Sequence, residues 1–280
     1  MKKILITTDF SDNAWNAIFT ALKIYTDVEC HFYLLHAFEP SPVNMMGSKT
    51  QQRLGVIYDS LSKYSVKELE EMLSYLKINH KNAKHQFTTL SKPGNLEDAV
   101  ESVLSENDID MLIMGTQGAT GAKDVFLGSN TVKVLNLIKS IPILVVPTGF
   151  NFQSLKSILF ATDFSAPYTK NLFDPIIELS KLWSANIEIV HVAIEFNLND
   201  YQEAHKEVLK ERLSGFDIKF KNIPFEINIS KSIDLYAEEK NSSFLTILRH
   251  QHTFWENVIG EPVVKKIAFH SKIPVLFLPQ

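Results

Sequence analysis

An internal repeat places the strongest limit on how this chain of 280 residues can fold. Three segments of the first half return in the second half in the same order: ILITTDFS at 4–11 as ILFATDFS at 158–165, LLHA at 34–37 as IVHV at 189–192, and IPILVVP at 141–147 as IPVLFLP at 273–279. Ordered matches of this kind indicate a tandem duplication. We therefore predict two domains with the same fold, covering residues 1–149 and 150–280.

The spacing between equivalent residues shows where the two copies differ in length. Asp9 and Asp163 are 154 positions apart, whereas Pro142 and Pro274 are 132 positions apart, so the second copy is 22 residues shorter. Because the first two predicted strands match closely in both copies, the shortening must follow the second strand.

Each copy alternates short apolar runs with segments of helical periodicity. In the first copy, the apolar runs lie near 4–8, 32–38, 85–90, 109–114 and 143–146. This alternation predicts an α/β fold made of two tandem, doubly wound, parallel five-stranded sheets. In such sheets, ligands bind beyond the carboxyl ends of the strands, where the strand order reverses.

Composition excludes several classes of function. The chain has 28 basic and 32 acidic side chains and a net charge of -4, which does not favour a nucleic-acid partner. No apolar stretch approaches the length that spans a bilayer, so no membrane association is expected. Because Cys30 is the single cysteine, no intrachain disulfide can form, and its apolar surroundings in the sequence are typical of a core residue. These features predict a cytoplasmic protein.

A glycine cluster is the most informative local feature of the sequence. Four of the ten glycines lie in one short segment: Gly115, Gly118, Gly121 and Gly128. The segment follows a predicted strand, and Ser129 then begins a predicted helix. Glycines permit close approach of backbone N–H groups to an anion, and the helix start adds N–H donors and the positive dipole end. The segment therefore predicts an anion site, with a tight connection that binds nothing as the alternative.

The spacing of this cluster is neither that of a P-loop nor that of the dinucleotide motif. Together with the ILITTDFS, LLHA and IPILVVP segments, it resembles the universal stress protein family, whose nucleotide-binding, UspA-like members carry G-2x-G-9x-G-[ST]. The resemblance covers both copies. It implies Rossmann-like domains of the adenine nucleotide alpha hydrolase type, related by a pseudo-two-fold axis. It also implies that ATP, or else AMP or ADP, is bound, with Mg²⁺ carried by the phosphates.

The resemblance also implies roles for individual residues. Asp9, with its neighbour Thr8, matches the acidic position beside the nucleoside, although a turn and helix cap without a ligand is the alternative. Ala37 and Met114 match positions that line the adenine pocket. The ribose and phosphate loop corresponds to Gly115, Gln117, Gly118, Gly128, Ser129 and Asn130. Lys123 lies within this loop and is a further candidate for a phosphate contact, although no motif requires it.

The second copy departs from this motif. Aligning the fourth strands places Arg249 at the position of Gly115, and Glu261 replaces Ser129 at the helix start. A carboxylate at this end of a helix opposes a phosphate. We therefore expect that the second copy does not bind ATP in the manner of the family.

The same segment of the second copy contains His250, His252 and Glu256. An H-x-H pair can supply two ligands to zinc, but the spacing fixes no third ligand. Loop histidines without a metal are the alternative, and we assign no metal ligand.

The sequence shows no nucleophile paired with a base and no general base near the expected phosphate site, so an enzyme is not expected. The primary hypothesis is an ATP-binding regulatory module of the stress response. A slow ATPase and a nucleotide-free scaffold are the alternatives. The last strand of each copy is an apolar edge, and in this family domains pair through such strands. We therefore predict intramolecular pairing of the two last strands, and a homodimer remains open.

Overall fold

A computed structural model of the chain describes residues 1–40, 51–116, 128–165, 167–194, 197–249 and 271–279. In the first half, strands alternate with helices: β1 (Lys2–Thr7), α1 (Asp12–Ile24), β2 (Cys30–Phe38), α2 (Gln51–Asn79), β3 (His85–Pro93), α3 (Leu96–Glu106), β4 (Met111–Gly115), α4 (Ser129–Leu137) and β5 (Ile143–Val146).

The second half follows the same order: β6 (Ser157–Ala161), α5 (Asp174–Trp183), β7 (Asn186–Ala193), α6 (Asp200–Arg212), β8 (Ile218–Pro224), α7 (Ile229–Glu239), β9 (Phe244–Leu248) and β10 (Val275–Leu278). Residues 39–84 connect β2 to β3, whereas residues 194–217 connect β7 to β8, which is 46 residues against 24. The second half is therefore shortened after its second strand. Helix α2 has 29 residues and its counterpart α6 has 13.

The strands form one ten-stranded sheet in the order β3-β2-β1-β4-β5-β10-β9-β6-β7-β8. Within each half all neighbouring strands are parallel, and the strand order reverses between the first and fourth strands. The predicted doubly wound, parallel halves are therefore confirmed. They do not form separate sheets, because β5 and β10 pair in antiparallel orientation.

The register of this central pair is symmetric. Leu144 lies opposite Leu276, and Val145 lies opposite Val275. Because the IPILVVP and IPVLFLP segments are equivalent, Leu144 and Leu276 occupy the same position in the two copies. A local two-fold axis therefore passes between these two leucines. Pairing removes the open apolar edge that each half would otherwise expose.

Each face of the sheet has a hydrophobic core that includes residues of both halves. Alternating strand residues point to opposite faces, so Ile4 and Ile6 belong to one core and Leu5 to the other. Helices α1, α2, α5 and α6 cover the first face, and α3, α4 and α7 cover the second. Strands with two covered faces are apolar throughout, as is typical of parallel sheets.

Two polar contacts also join the halves across the first face. The Lys2 ammonium lies 2.5 Å from the Glu178 carboxylate. The Trp183 indole Nε1 donates a hydrogen bond of 3.0 Å to the Ile24 carbonyl. Both contacts lie between α5 and the first half, so the halves are held together by more than the central strand pair.

Cys30 is buried in the core, and burial raises the pKa of its thiol to about 12. The thiol is therefore protonated at neutral pH, which fits a packing role. In the part of the chain that the structure describes, no helix has the length and apolarity needed to cross a membrane. The cytoplasmic location stays a prediction.

Two histidines near the outer edge of the first half share a hydrogen bond. His80 Nε2 lies 2.7 Å from His85 Nδ1, and His85 Nε2 lies 2.9 Å from the Tyr25 carbonyl oxygen. Because a carbonyl only accepts, His85 Nε2 carries the hydrogen, so His85 Nδ1 accepts the bond from His80. Burial lowers the pKa of both rings, and the two rings are therefore held neutral.

This pair predicts acid sensitivity. Since both pKa values in the folded chain lie below the ordinary value of about 6.5, the unfolded chain binds more protons as the pH falls below that value. Each histidine therefore lowers the free energy of unfolding as the pH falls from about 6.5 towards its own pKa in the folded chain. The double variant His80→Gln, His85→Gln should show a shallower loss of stability towards acid. Urea unfolding at a series of pH values measures the slope, and equal slopes would contradict the prediction.

Candidate functional site

The first element of the candidate site is the turn that follows β1. Thr8 Oγ1 accepts a hydrogen bond of 3.0 Å from the Phe10 backbone N–H. Asp9 Oδ1 accepts from both the backbone N–H and the hydroxyl of Ser11, at 3.1 and 2.6 Å. These bonds hold Phe10 in the left-handed region, with φ at 65°. One carboxylate oxygen of Asp9 therefore fixes the turn, and the partly exposed side chain is placed at the carboxyl end of β1.

The end of β4 packs tightly against the start of α1. A Cβ atom on Gly115 would lie 2.5 Å from Nδ2 of the buried Asn13 side chain. The same amide donates to Thr116 Oγ1 at 3.4 Å. A side chain at position 115 would therefore force the Asn13 amide of the neighbouring helix to shift.

The start of α4 lies directly beside the end of β4. The Gly128 N–H donates to the Thr116 carbonyl at 2.6 Å, and the Thr131 hydroxyl donates to the Gly115 carbonyl at 3.0 Å. Gly128 is the N-cap residue and supplies no side chain, and the first turn of α4 contains no acidic residue. Ser129 and Asn130 are exposed at this end. Among the described residues, none covers the positive end of α4 with an acidic or capping side chain, which suits an anion there.

These elements border a cleft at the carboxyl ends of β1 and β4, where the strand order reverses. Its lining consists of Thr7, Thr8, Asp9, Ala14, His36, Ala37, Leu96, Met114, Gly115, Asn130 and Thr131. The cleft has a volume of about 80 Å³. Sites for small molecules usually have several hundred Å³. A nucleotide would therefore extend well beyond this space, and the described cleft corresponds to part of a site.

The two ends of this cleft differ in their electrostatic character. Asp9 is the one described lining residue with a formal charge, because burial lowers the pKa of His36. His36 Nδ1 lies 2.8 Å from the Ser65 hydroxyl, which lies 2.7 Å from the Ser91 hydroxyl. The Asp9 carboxylate suits hydroxyl or amino donors, whereas the start of α4 suits anions.

The second half repeats the turn but covers it. Asp163 Oδ1 accepts from the N–H and hydroxyl of Ser165 at 3.0 and 2.7 Å, and Phe164 has φ at 57°. However, Gln202 on α6 donates to the Asp163 carbonyl at 2.9 Å, and His205 Nδ1 lies 2.8 Å from the Phe164 carbonyl oxygen. Asp163 is only 5% exposed.

A family model described as the universal stress protein family matches residues 1–147 of this chain. The chain belongs to this family. A universal stress protein from Synechocystis sp. is 24% identical over 299 residues, and the match covers 99% of each chain. The crystal structure of a universal stress protein from Archaeoglobus fulgidus has a TM-score of 0.66 at 18% identity, covering 99% of this chain and 96% of that one. The crystal structure of the cytoplasmic domain of a prokaryotic cation chloride cotransporter has a TM-score of 0.53 at 10% identity, covering 100% of this chain and 95% of that one. These structural likenesses show the fold.

The structure brings most of the site residues expected for a universal stress protein to one place. Thr8, Asp9, Ala37, Met114, Gly115 and Asn130 line the cleft, and Gly128 and Ser129 lie at the adjoining helix start. Gln117, Gly118 and Lys123 lie outside the described residues. Their roles as ligand contacts stay predictions.

Several lining residues were missed by the sequence reasoning: Thr7, Ala14, His36, Leu96 and Thr131. A signal for Leu96 was present, because Asn95 accepts from the Asp98 N–H at 2.8 Å and so marks the start of α3. The start of the helix after the third strand faces the same edge of the sheet. Nothing in the sequence indicated that Thr131 belongs to the cleft, because its hydrogen bond to the Gly115 carbonyl depends on how α4 packs against β4.

The alignment of the fourth strands was wrong by one residue. Gly115 pairs with Val146, and Leu248 pairs with Leu278. Because Val146 and Leu278 are equivalent in the repeat, Leu248 corresponds to Gly115, and Arg249 corresponds to the next residue along, Thr116. Both strands are apolar runs, and only their neighbours in the sheet fix the register.

The zinc alternative concerns residues that the structure does not describe. His250, His252, Glu256 and Glu261 all lie outside the described ranges. Within those ranges, no group of three or more His, Cys, Asp or Glu side chains is placed to hold a metal ion. The expectation of no metal ligand therefore stays a prediction.

The contact between Gly115 and Asn13 predicts a specific coupling. Gly115→Ala should lower the free energy of unfolding by about 1–3 kcal/mol, because the added Cβ overlaps the Asn13 amide. Adding Asn13→Ala removes the overlap with the side chain and leaves the Asn13 backbone oxygen at 3.2 Å, so Gly115→Ala should cost less in that background. Urea unfolding of the four proteins of this double-mutant cycle measures the difference.

Gly55 is the matched control for this experiment. It lies within α2, and a Cβ added there meets no atom within 4 Å. Gly55→Ala should stabilise the chain by up to about 1 kcal/mol. Equal costs for Gly115→Ala in the presence and absence of Asn13 would show that the packing contact does not explain the glycine.

Proposed function

We propose that the cleft at the ends of β1 and β4 binds an adenine nucleotide, with ATP as the main ligand, and that the chain is an ATP-binding regulatory module of the universal stress protein family. The observation that carries this proposal is the pairing of two unlike groups across one cleft. The partly exposed Asp9 carboxylate lies at one side, and the open start of α4 lies at the other.

Each part of an adenine nucleotide has a chemical counterpart among these residues. The phosphates suit the backbone N–H groups at the start of α4, the exposed hydroxyl of Ser129 and the exposed side-chain amide of Asn130. The ribose hydroxyls suit the Asp9 carboxylate as an acceptor. The apolar side chains of Ala37 and Met114 suit the face of the base. Mg²⁺ enters this proposal as a counter-ion carried by the phosphates.

We propose that the chain binds the nucleotide and does not hydrolyse it. Backbone amides hold a phosphate without activating water, and the described lining contains two titratable side chains, Asp9 and His36. Burial lowers the pKa of His36, which makes its ring a weaker base, and its Nδ1 is in contact with the Ser65 hydroxyl. ADP formation by the purified chain would instead favour the slow ATPase.

The proposal places the nucleotide in the first half. The equivalent carboxylate of the second half, Asp163, is buried, and Gln202 and His205 of α6 bind the backbone carbonyls of its turn. A nucleoside could reach this carboxylate only if the segments around it moved. The second half therefore keeps the turn as a structural element. Homodimer formation stays a prediction.

The direct test is to identify what the protein retains. Mass spectrometry of the purified, denatured full chain should detect an adenine nucleotide. Titration calorimetry with ATP, ADP and AMP should then give one binding site per chain. A protein that carries no nucleotide and gives no heat with any of the three would favour the nucleotide-free scaffold.

The repeated turn offers a matched pair of variants. Asp9→Asn and Asp163→Asn each keep an oxygen that can accept from the following serine, so both should preserve the local turn. Asp9→Asn removes a charged acceptor from the cleft and should weaken ATP binding about tenfold or more. Asp163→Asn should leave ATP affinity unchanged. Equal effects of the two variants, or an effect of Asp163→Asn alone, would contradict the placement of the nucleotide.

A further inference from the structure

Arg249 belongs to the second half, but its guanidinium reaches into the first half. Its Nη1 donates to the Ile138 carbonyl and its Nη2 to the Ile141 carbonyl at 2.8 Å, while Nε donates to the Leu278 carbonyl at 3.1 Å. The residue is 3% exposed, and within the described chain no carboxylate pairs with it. Burial lowers the pKa of this arginine to about 10, so it is still charged at neutral pH.

One of the three carbonyls that Arg249 contacts lies at the end of a helix. Ile138 is the C-cap residue of α4, and Lys139 donates to the Leu135 carbonyl of the same end at 3.0 Å. Two cations therefore meet at the negative end of the helix. The two positive charges repel each other, and burial together with the charge of Arg249 lowers the pKa of Lys139. Their placement is favoured by the helix dipole and by the terminal carbonyls.

The other end of α4 is the start that borders the cleft. Helix α4 has nine residues, which corresponds to a length of about 14 Å. A helix of this length is marginal by itself, so its position depends on its packing and on contacts at its ends. At the start, the contacts are the Gly128 bond to Thr116 and the Thr131 bond to Gly115. At the far end, the contact from the second half is Arg249.

We infer that Arg249 is a positioning residue for the nucleotide site, and that it holds α4 from its C-terminal end so that the N-terminal amides of this helix meet the phosphates. The inference rests on the proposed function. Arg249 corresponds to Thr116, the residue that holds the start of α4 in the first half. Arg249 directly follows the fourth strand of the second half. From this position, the second half thus contributes a residue to the site of the first half.

The experiment compares ATP affinity in the full chain with Arg249→Met and Arg249→Lys, measured by calorimetry well below the midpoint of thermal unfolding. Arg249→Met keeps an unbranched, flexible apolar stem, although a shorter one, and removes the charge and all three donated bonds. ATP binding should weaken about three- to tenfold. Arg249→Lys keeps the charge and should weaken binding about twofold, and it supplies the measurement if the methionine variant does not fold.

Trp183→Phe is the matched control. It removes one hydrogen bond between the halves, to the Ile24 carbonyl, on the opposite face of the sheet from α4. It should lower the unfolding temperature but leave ATP affinity unchanged. Hydrogen exchange of the peptide 128–137 without nucleotide gives a second readout, and exchange should be faster in Arg249→Met than in Trp183→Phe.

The possible results are distinct. If the Arg249 variants that fold bind ATP as tightly as the wild type, the residue is a structural contact and the inference is wrong, while the nucleotide site stands. If Trp183→Phe weakens ATP binding as much as Arg249→Met, loss of contact between the halves explains both, and the inference is again wrong. If the wild-type chain binds no ATP, the proposed function fails first and the inference fails with it.

Discussion

The antiparallel pairing of β5 with β10 is the constraint on which the rest of the molecule depends. Each half alone would expose a four-residue apolar strand at the edge of a parallel sheet. With Leu144 opposite Leu276, this edge disappears, and the cores on both faces become continuous across the two halves. The same pairing brings the end of β9 beside the end of α4. Without it, Arg249 would have no carbonyls of the first half within reach.

The two halves show how one local structure acquires two roles. The Thr-Asp-Phe-Ser turn is built by the same hydrogen bonds in both, with Phe10 and Phe164 in the left-handed region. What differs is the connection after the second strand. Residues 194–217 are too few for a helix as long as α2, and the short α6 lies over the turn, where Gln202 and His205 bind its carbonyls. In the second half, the carboxylate is therefore kept but is withdrawn from solvent.

Features that depend on local chemistry could be predicted from the sequence, whereas features that depend on packing between distant segments could not. The strands, the repeated turn and the position of the cleft follow from apolar runs, side-chain capping and strand order. The alignment of Arg249 was wrong by one residue because β4 and β9 are both apolar, and their register is set by neighbouring strands. Gly115 was expected to serve a ligand, but the contact with Asn13 gives it a packing reason as well. The contact of Arg249 with Ile138 depends on the antiparallel pairing of β5 with β10. The spacing of residues along the chain showed no sign of it.

Helix α4 explains why a half with a degenerate motif can still matter to the site. An anion at the start of a helix and cations at its end are favoured by the same dipole, so the two ends reinforce each other. The chain leaves the start without an acidic residue or a capping side chain, and it places Arg249 and Lys139 at the end. Burying an arginine that has no carboxylate partner among the described residues is costly, and the backbone carbonyls that it binds recover that cost only if α4 keeps its position. The interaction that joins the two halves therefore also fixes the helix that faces the cleft.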